Sequence, residues 1–192
     1  MNLESLVRTM VSNPLQIGMI PQDDPTHMID DVTSITWYRN GQYQVQVFAV
    51  PPNYIIPAHT HPNVDSYEVI MGGRGAFAIH GRWVVEDDYE ILKKNQPPLN
   101  GLRGSVLRVR PNAWHGAAVG RTGAVFMSVQ HWINGVKPHC VASDYTGPTL
   151  GEHHMSQVKV GNPVDKGGQK NLTFKDAAWL EDDAPWDYLE GE

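Results

Sequence analysis

The chain of 192 residues contains one cysteine, Cys140, so neither an internal disulfide framework nor a multi-cysteine metal site can form. It has no basic block: 15 Lys and Arg against 21 Asp and Glu leave a net charge of −6. A phosphate backbone requires a basic footprint, so nucleic acid is not an expected partner. Long apolar runs are missing as well. The most apolar windows are broken by Gly, Pro or charge, short of the roughly 20 residues a membrane helix needs, and no membrane partner is expected. The opening MNLESLVRTM carries Glu4 and Arg8 where an export signal needs an apolar core, which makes the cytoplasm the expected location. There is no Gly-x-Ser-x-Gly elbow, no phosphate loop and no dinucleotide fingerprint. What is present is 41% hydrophobic and 19% charged, enough for a core and too apolar for a disordered chain.

Residues 3–11 place Leu3, Leu6, Val7 and Met10 at helical spacing, with Asn2 available as a cap. After Pro14 the pattern changes to period two. SITWYR (34–39), YQVQVFAV (43–50), YEVIM (67–71), AFAIHG, RWVVE, SVLRVR and AVFMSVQHW are rich in β-branched and aromatic residues. Asn40-Gly41, Pro51-Pro52, Gly72-Gly73, Gly101, Gly104, Pro111-Asn112 and Gly120 punctuate them as turn signals. The expected architecture is all-β, a single sandwich or barrel, with residues 1–33 as a helix and arm and 34–143 as the barrel. From 144 to 192 the sequence becomes polar and then acidic. Trp179 and Trp186 within that stretch predict an extension that packs on the barrel or on a neighbouring subunit.

Nine histidines stand out. His59 and His61 are two apart, so on an extended strand both leave the same face. Two imidazoles on one face, a nearby carboxylate and a third histidine would hold one first-row transition ion with positions left open for substrate. VRPNAWHG supplies the third, His115, after a Pro-Asn turn in which Asn112 suits a left-handed backbone.

These residues resemble the cupin superfamily. Its first motif, His-x-His followed by an acid and a later glycine, reads here as His59, His61, Asp65 and Gly72; the second reads as Val109 to Gly116 with His115. The resemblance covers roughly residues 34–133 and implies a small jelly-roll β-barrel and one divalent ion: Fe, Mn, Ni or Zn. The family usually has Glu at the acid position, and Glu68 competes with Asp65. Strand parity groups Asp65, Tyr67, Val69 and Met71 on one face and Ser66, Glu68 and Ile70 on the other. The glycine register and an inward assignment of Val69 and Met71 put Asp65 ahead, giving His59, His61, Asp65 and His115 as the expected ligands.

Tyr67, Glu68 and His131 are the candidate catalytic residues. Tyr67 resembles a tyrosine of cupin lyases, with a core tyrosine as the ordinary alternative. His131 runs in phase with Val125, Met127 and Val129 and could act as an acid, base or substrate donor, with a satisfied core or rim histidine as its alternative. Among Arg74, Arg82, Arg103, Arg108 and Arg110, any pointing inward could clamp a carboxylate. Trp83 and Trp114 are candidate pocket walls. His139, Cys140, His153 and His154 lack ligand spacing. The resemblance implies a metal-dependent enzyme acting on a small organic, oxygen-rich or carboxylate substrate, with a dioxygenase first. A lyase or isomerase, or a non-catalytic ligand-binding cupin, are the alternatives, and a homodimer is the expected assembly.

Overall fold

A computed structural model describes residues 2–12, 27–29, 32–80, 82–84 and 105–141. It is all-β apart from one helix, α1 (Leu3–Ser12). Asn2 caps that helix: its Oδ1 accepts the Ser5 backbone N–H at 2.8 Å, satisfying one of the orphan donors of the first turn. The strands are β1 (His27–Ile29), β2 (Val32–Asn40), β3 (Tyr43–Val50), β4 (Ile55–His59), β5 (Val64–Ile79), β6 (Arg82–Trp83), β7 (Val106–Val109) and β8 (His115–Trp132).

All pairings are antiparallel, in the order β1-β2-β3-β8-β5-β6, with β4 added to β8 and β7 to β5. The β2–β3 hairpin turns on Gly41 at φ 59, the positive angle that a tight two-residue loop needs at its first central position. β5 and β8 are the two long strands, and they pair from Val64↔Trp132 to Gly73↔Ala124 and again from Gly75↔Val119 to Ile79↔His115. β3 and β7 join them at one end and β4 and β6 at the other, so both strands pass through two sheet regions.

Two expected turns are therefore bends inside single strands. Gly72-Gly73 lies within β5 and Gly120 within β8, where register shifts fall between Ile70 and Gly72 and between Gly73 and Gly75. Such irregularities bend a strand without ending its pairing. Gly73 has φ 74, and a Cβ there would lie 2.1 Å from the Gly123 carbonyl oxygen, so only glycine lets the two backbones approach.

Alternation along the strands gives the sheet two buried faces. On one, Val45, Val47, Tyr67, Val69, Val106, Met127 and Val129 are covered by Leu3, Leu6, Val7 and Met10 of α1. On the other lie Phe48, Ile70, Phe77, Leu107 and Trp132 in two further clusters, with a set of buried polar groups between them. The extension at 144–192, with Trp179, Trp186, His153 and His154, and the segment holding Arg103 lie outside the described residues.

The close approach at Gly73 makes a direct test. Gly73→Ala is expected to cost about 2 kcal/mol or more in urea unfolding, from the strained angle and the clash together. Gly72→Ala, with nothing within 4 Å of the added carbon, is expected to cost well under half as much.

Candidate metal centre and cavity

The three histidines of the two motifs meet through one strand pairing and one turn. His59 ends β4 and faces His115, the first residue of β8, in register. The turn before β8 closes with Ala113 N–H donating to the Arg110 carbonyl at 2.9 Å, with Pro111 second and Asn112 third at φ 62. That is type II geometry, in which proline and a left-handed residue belong at those positions. Asn112 N–H also donates to the His61 carbonyl at 3.0 Å, tying the turn to the His-x-His segment.

His59, His61 and His115 are all buried, with ligand atoms within 4.8 Å of one another. Their ring centroids are 4.2 Å (His59–His115), 4.8 Å (His59–His61) and 5.3 Å (His61–His115) apart. His115 Nδ1 lies 2.9 Å from the Ala113 carbonyl oxygen. A carbonyl only accepts, so Nδ1 carries the proton and Nε2 keeps its lone pair for a ligand role. Burial pushes the His115 imidazolium down to about 4, against the upward pull of that hydrogen bond, which keeps the ring neutral. Three buried imidazoles are a donor set suited to one divalent transition ion.

The histidines open on a cavity of about 90 Å3 between mostly apolar walls that include Phe48, Tyr54, Ile56, Phe77 and Phe126. Glu68, Ser66 and Ser128 line it too. Burial raises the Glu68 carboxyl to about 7, although hydrogen bonds from Ser66 and Ser128 pull it down. Both hydroxyls donate to the same oxygen, Oε1, at 2.7 Å from Ser66 and 2.8 Å from Ser128.

The direction of the Ser128 bond is fixed from further away. Trp132 Nε1 can only donate, and it donates to Gln130 Oε1 at 3.0 Å. Gln44 Nε2 donates to the same oxygen at 2.9 Å. The Gln130 amide nitrogen is thereby turned toward Gln46 Oε1 and Ser128 Oγ, each at 3.1 Å. Ser128 accepts from Gln130, so its own proton goes to Glu68. Gln46 Oε1 also accepts the Val141 backbone N–H at 3.1 Å, and Gln44 donates to the His139 carbonyl, so the segment after β8 is held by the same chain of bonds.

The remaining candidates fall elsewhere, and the expected face assignment is corrected. Parity does separate Asp65 from Glu68, but Glu68 is the one on the cavity face. Asp65 lies on the face covered by α1, outside the histidine group, and accepts from Arg108 Nε at 3.2 Å and Nη2 at 2.9 Å. Arg108 also meets Glu4 of α1 at 3.2 Å and lies 5.4 Å over the Tyr67 ring. Asp65 thus supports the Arg108 charge and pins the helix, and Arg108 is no substrate clamp. Tyr67 is buried in the α1 cluster, and His131 stacks on Tyr43 at 4.7 Å, so neither lines the cavity. Trp114 does not line it either, and His139 packs its ring on Trp132 at 4.2 Å. Ser66, Ser128 and Gln130 were not among the sequence candidates. Their signal is parity with Glu68, readable only once the β5–β8 register is known.

No family model matches the chain, and no curated protein matches it. Solved structures do. KdgF from a Halomonas species is 10% identical over 59% of this chain and 92% of its own, with a TM-score of 0.44. The Cnp3 cupin domain of Schizosaccharomyces pombe is 7% identical over 58% and 70%, with a TM-score of 0.42. A cupin-2 domain protein of Rhodospirillum rubrum is 13% identical over 68% and 74%, with a TM-score of 0.42.

Glu68 and His115 give the metal-free protein a distinctive pH response. The raised Glu68 pKa contributes stability below about 4.5 that is lost as pH rises toward 7. The lowered His115 pKa acts oppositely, with stability gained as pH rises from about 4 to 6.5. Between these limits the two slopes offset each other. Glu68→Gln removes the falling one, so its unfolding free energy is expected to rise with pH more steeply than wild type, by about 1 kcal/mol per pH unit. Parallel curves from pH 4.5 to 6.5 in chemical denaturation would contradict the placement of Glu68.

Proposed function

We propose that this chain is a metal-dependent cupin enzyme that holds one divalent ion (Fe, Mn, Ni or Zn) on His59, His61 and His115 and acts on a small organic molecule in the adjoining cavity. The observation that supports it most is the convergence of three buried imidazoles from two sequence motifs, with ligand atoms within 4.8 Å. A bound ion there supplies open coordination positions for a chelating substrate, with Lewis-acid polarisation or dioxygen binding according to the metal.

Glu68 is the observation that favours an enzyme over a binding cupin. A carboxyl buried in a cavity and titrating near 7 is poised for general acid–base work. With two hydroxyls donating to Oε1, the transferable proton resides on Oε2. Ser66 and Ser128 hold the carboxyl in place, and Gln130 holds Ser128. The apolar walls keep water from the proton. Of the three catalytic candidates, Glu68 alone lines the cavity, so it takes the acid–base role, and Tyr67 and His131 have no part in it. This favours a proton-transferring reaction, a lyase or isomerase, over the dioxygenase that the family resemblance puts first.

Elemental analysis of freshly purified protein tests the reading, with close to one transition metal per chain expected. His115→Ala is expected to lose it and Asp65→Ala to keep it, because Asp65 belongs to the Arg108 cluster on the opposite face. Full occupancy in His115→Ala would sink the assignment.

A further inference from the structure

The walls of the cavity restrict what can enter it. Phe48 and Phe126 stack at 4.8 Å with their planes 14° apart, and Phe77 meets Phe126 edge-on at 6.0 Å. All three rings line the cavity, and Ile56 adds an aliphatic surface. A flat apolar body can stack or meet an edge on such a wall, whereas a polyhydroxylated one would leave its hydroxyls without partners.

Charge points the same way. Among the described residues no Lys or Arg lines the cavity, and the nearest candidate clamp, Arg108, is bonded to Asp65 and Glu4 on the other face. An anionic group placed away from the histidines would find no counter-charge among the described residues that line the cavity, and a buried charge left unpaired costs several kcal/mol. Glu68 is held by its two serines, and Oε1 already takes two donors. The cavity therefore combines a polar set, the histidines and Glu68 among it, with an aromatic wall.

We infer that the cavity takes a small aromatic molecule bearing one chelating head of at most one negative charge, and not a sugar acid or polycarboxylate. The head-group half of this rests on the metal reading above; the aromatic half rests on the walls alone. It replaces the oxygen-rich or carboxylate substrate expected from the sequence.

Two binding experiments separate the halves. With zinc-loaded protein, calorimetric titration compares benzohydroxamate with acetohydroxamate, which share a chelating head and differ in the ring. Benzohydroxamate is expected to bind at least tenfold more tightly, and citrate not to displace it. Equal affinities, or displacement by citrate, would overturn the inference. With metal-free protein, benzamide cannot rely on a metal and is expected to shift the amide resonances of β5 and β8 at millimolar concentration, while acetamide does not. No benzamide response refutes the aromatic site even if zinc binds. A benzamide response with no zinc retained supports the aromatic site and refutes the metal reading. Phe77→Leu keeps an apolar wall and removes one ring, and is expected to reduce the preference for benzohydroxamate at least threefold; an unchanged preference would count against the ring wall.

Discussion

The long pairing of β5 with β8 is the constraint on which the rest of the molecule depends. One end of the pair brings Glu68 opposite Ser128, and the other end carries His115, which β4 then meets with His59. Glu68 on β5 and His115 on β8 are 47 residues apart in sequence, yet the register of one ladder fixes where both lie. A slip of one residue would exchange the faces of every side chain on the strand. The ladder passes from one sheet region to the other at the Gly72-Gly73 bend, where residues 120–123 of β8 are skipped, and the near contact of Gly73 with Gly123 shows how close the backbones must come.

Both faces of this sheet are buried, and they are buried differently. The face under α1 is closed by aliphatic packing, and its ionised groups, Asp65, Arg108 and Glu4, lie at its edge in mutual contact. The cavity face carries Gln44, Gln46, Gln130, Ser66, Ser128 and Glu68, all buried. Polar groups withdrawn from water destabilise unless bonded, and this set is bonded to itself in a defined direction. Gln130 is the junction: its oxygen accepts from Gln44 and Trp132, and its nitrogen donates to Gln46 and Ser128. The same bonds that remove the cost of burial orient the acid in the cavity that the histidines also line, so the stability of the core and the arrangement of the site are one problem.

This two-sided burial explains what was legible in the sequence. The helix, its Asn2 cap, β3 and the three histidines could be read directly, because each depends on local spacing. Asn112 was legible for the same reason, as a left-handed residue after proline. The bends at Gly72-Gly73 and Gly120 were not, because a glycine that turns the chain and a glycine that bends a strand look alike until the partner strand is known. The choice between Asp65 and Glu68 failed on a sound rule. Parity divided the residues correctly, but Val69 and Met71 mark the face packed by α1, while the cavity face reads as polar. An apolar face usually signals the interior; here a helix supplies the cover, and the cavity is on the other face.

X-ray absorption on protein loaded with one equivalent of zinc tests the central claim most directly, because scattering from imidazole rings counts the histidine ligands. The account predicts three imidazoles at about 2.0–2.1 Å, with light-atom donors completing the site. Two or fewer imidazoles, or a spectrum unchanged by His115→Ala, would contradict it.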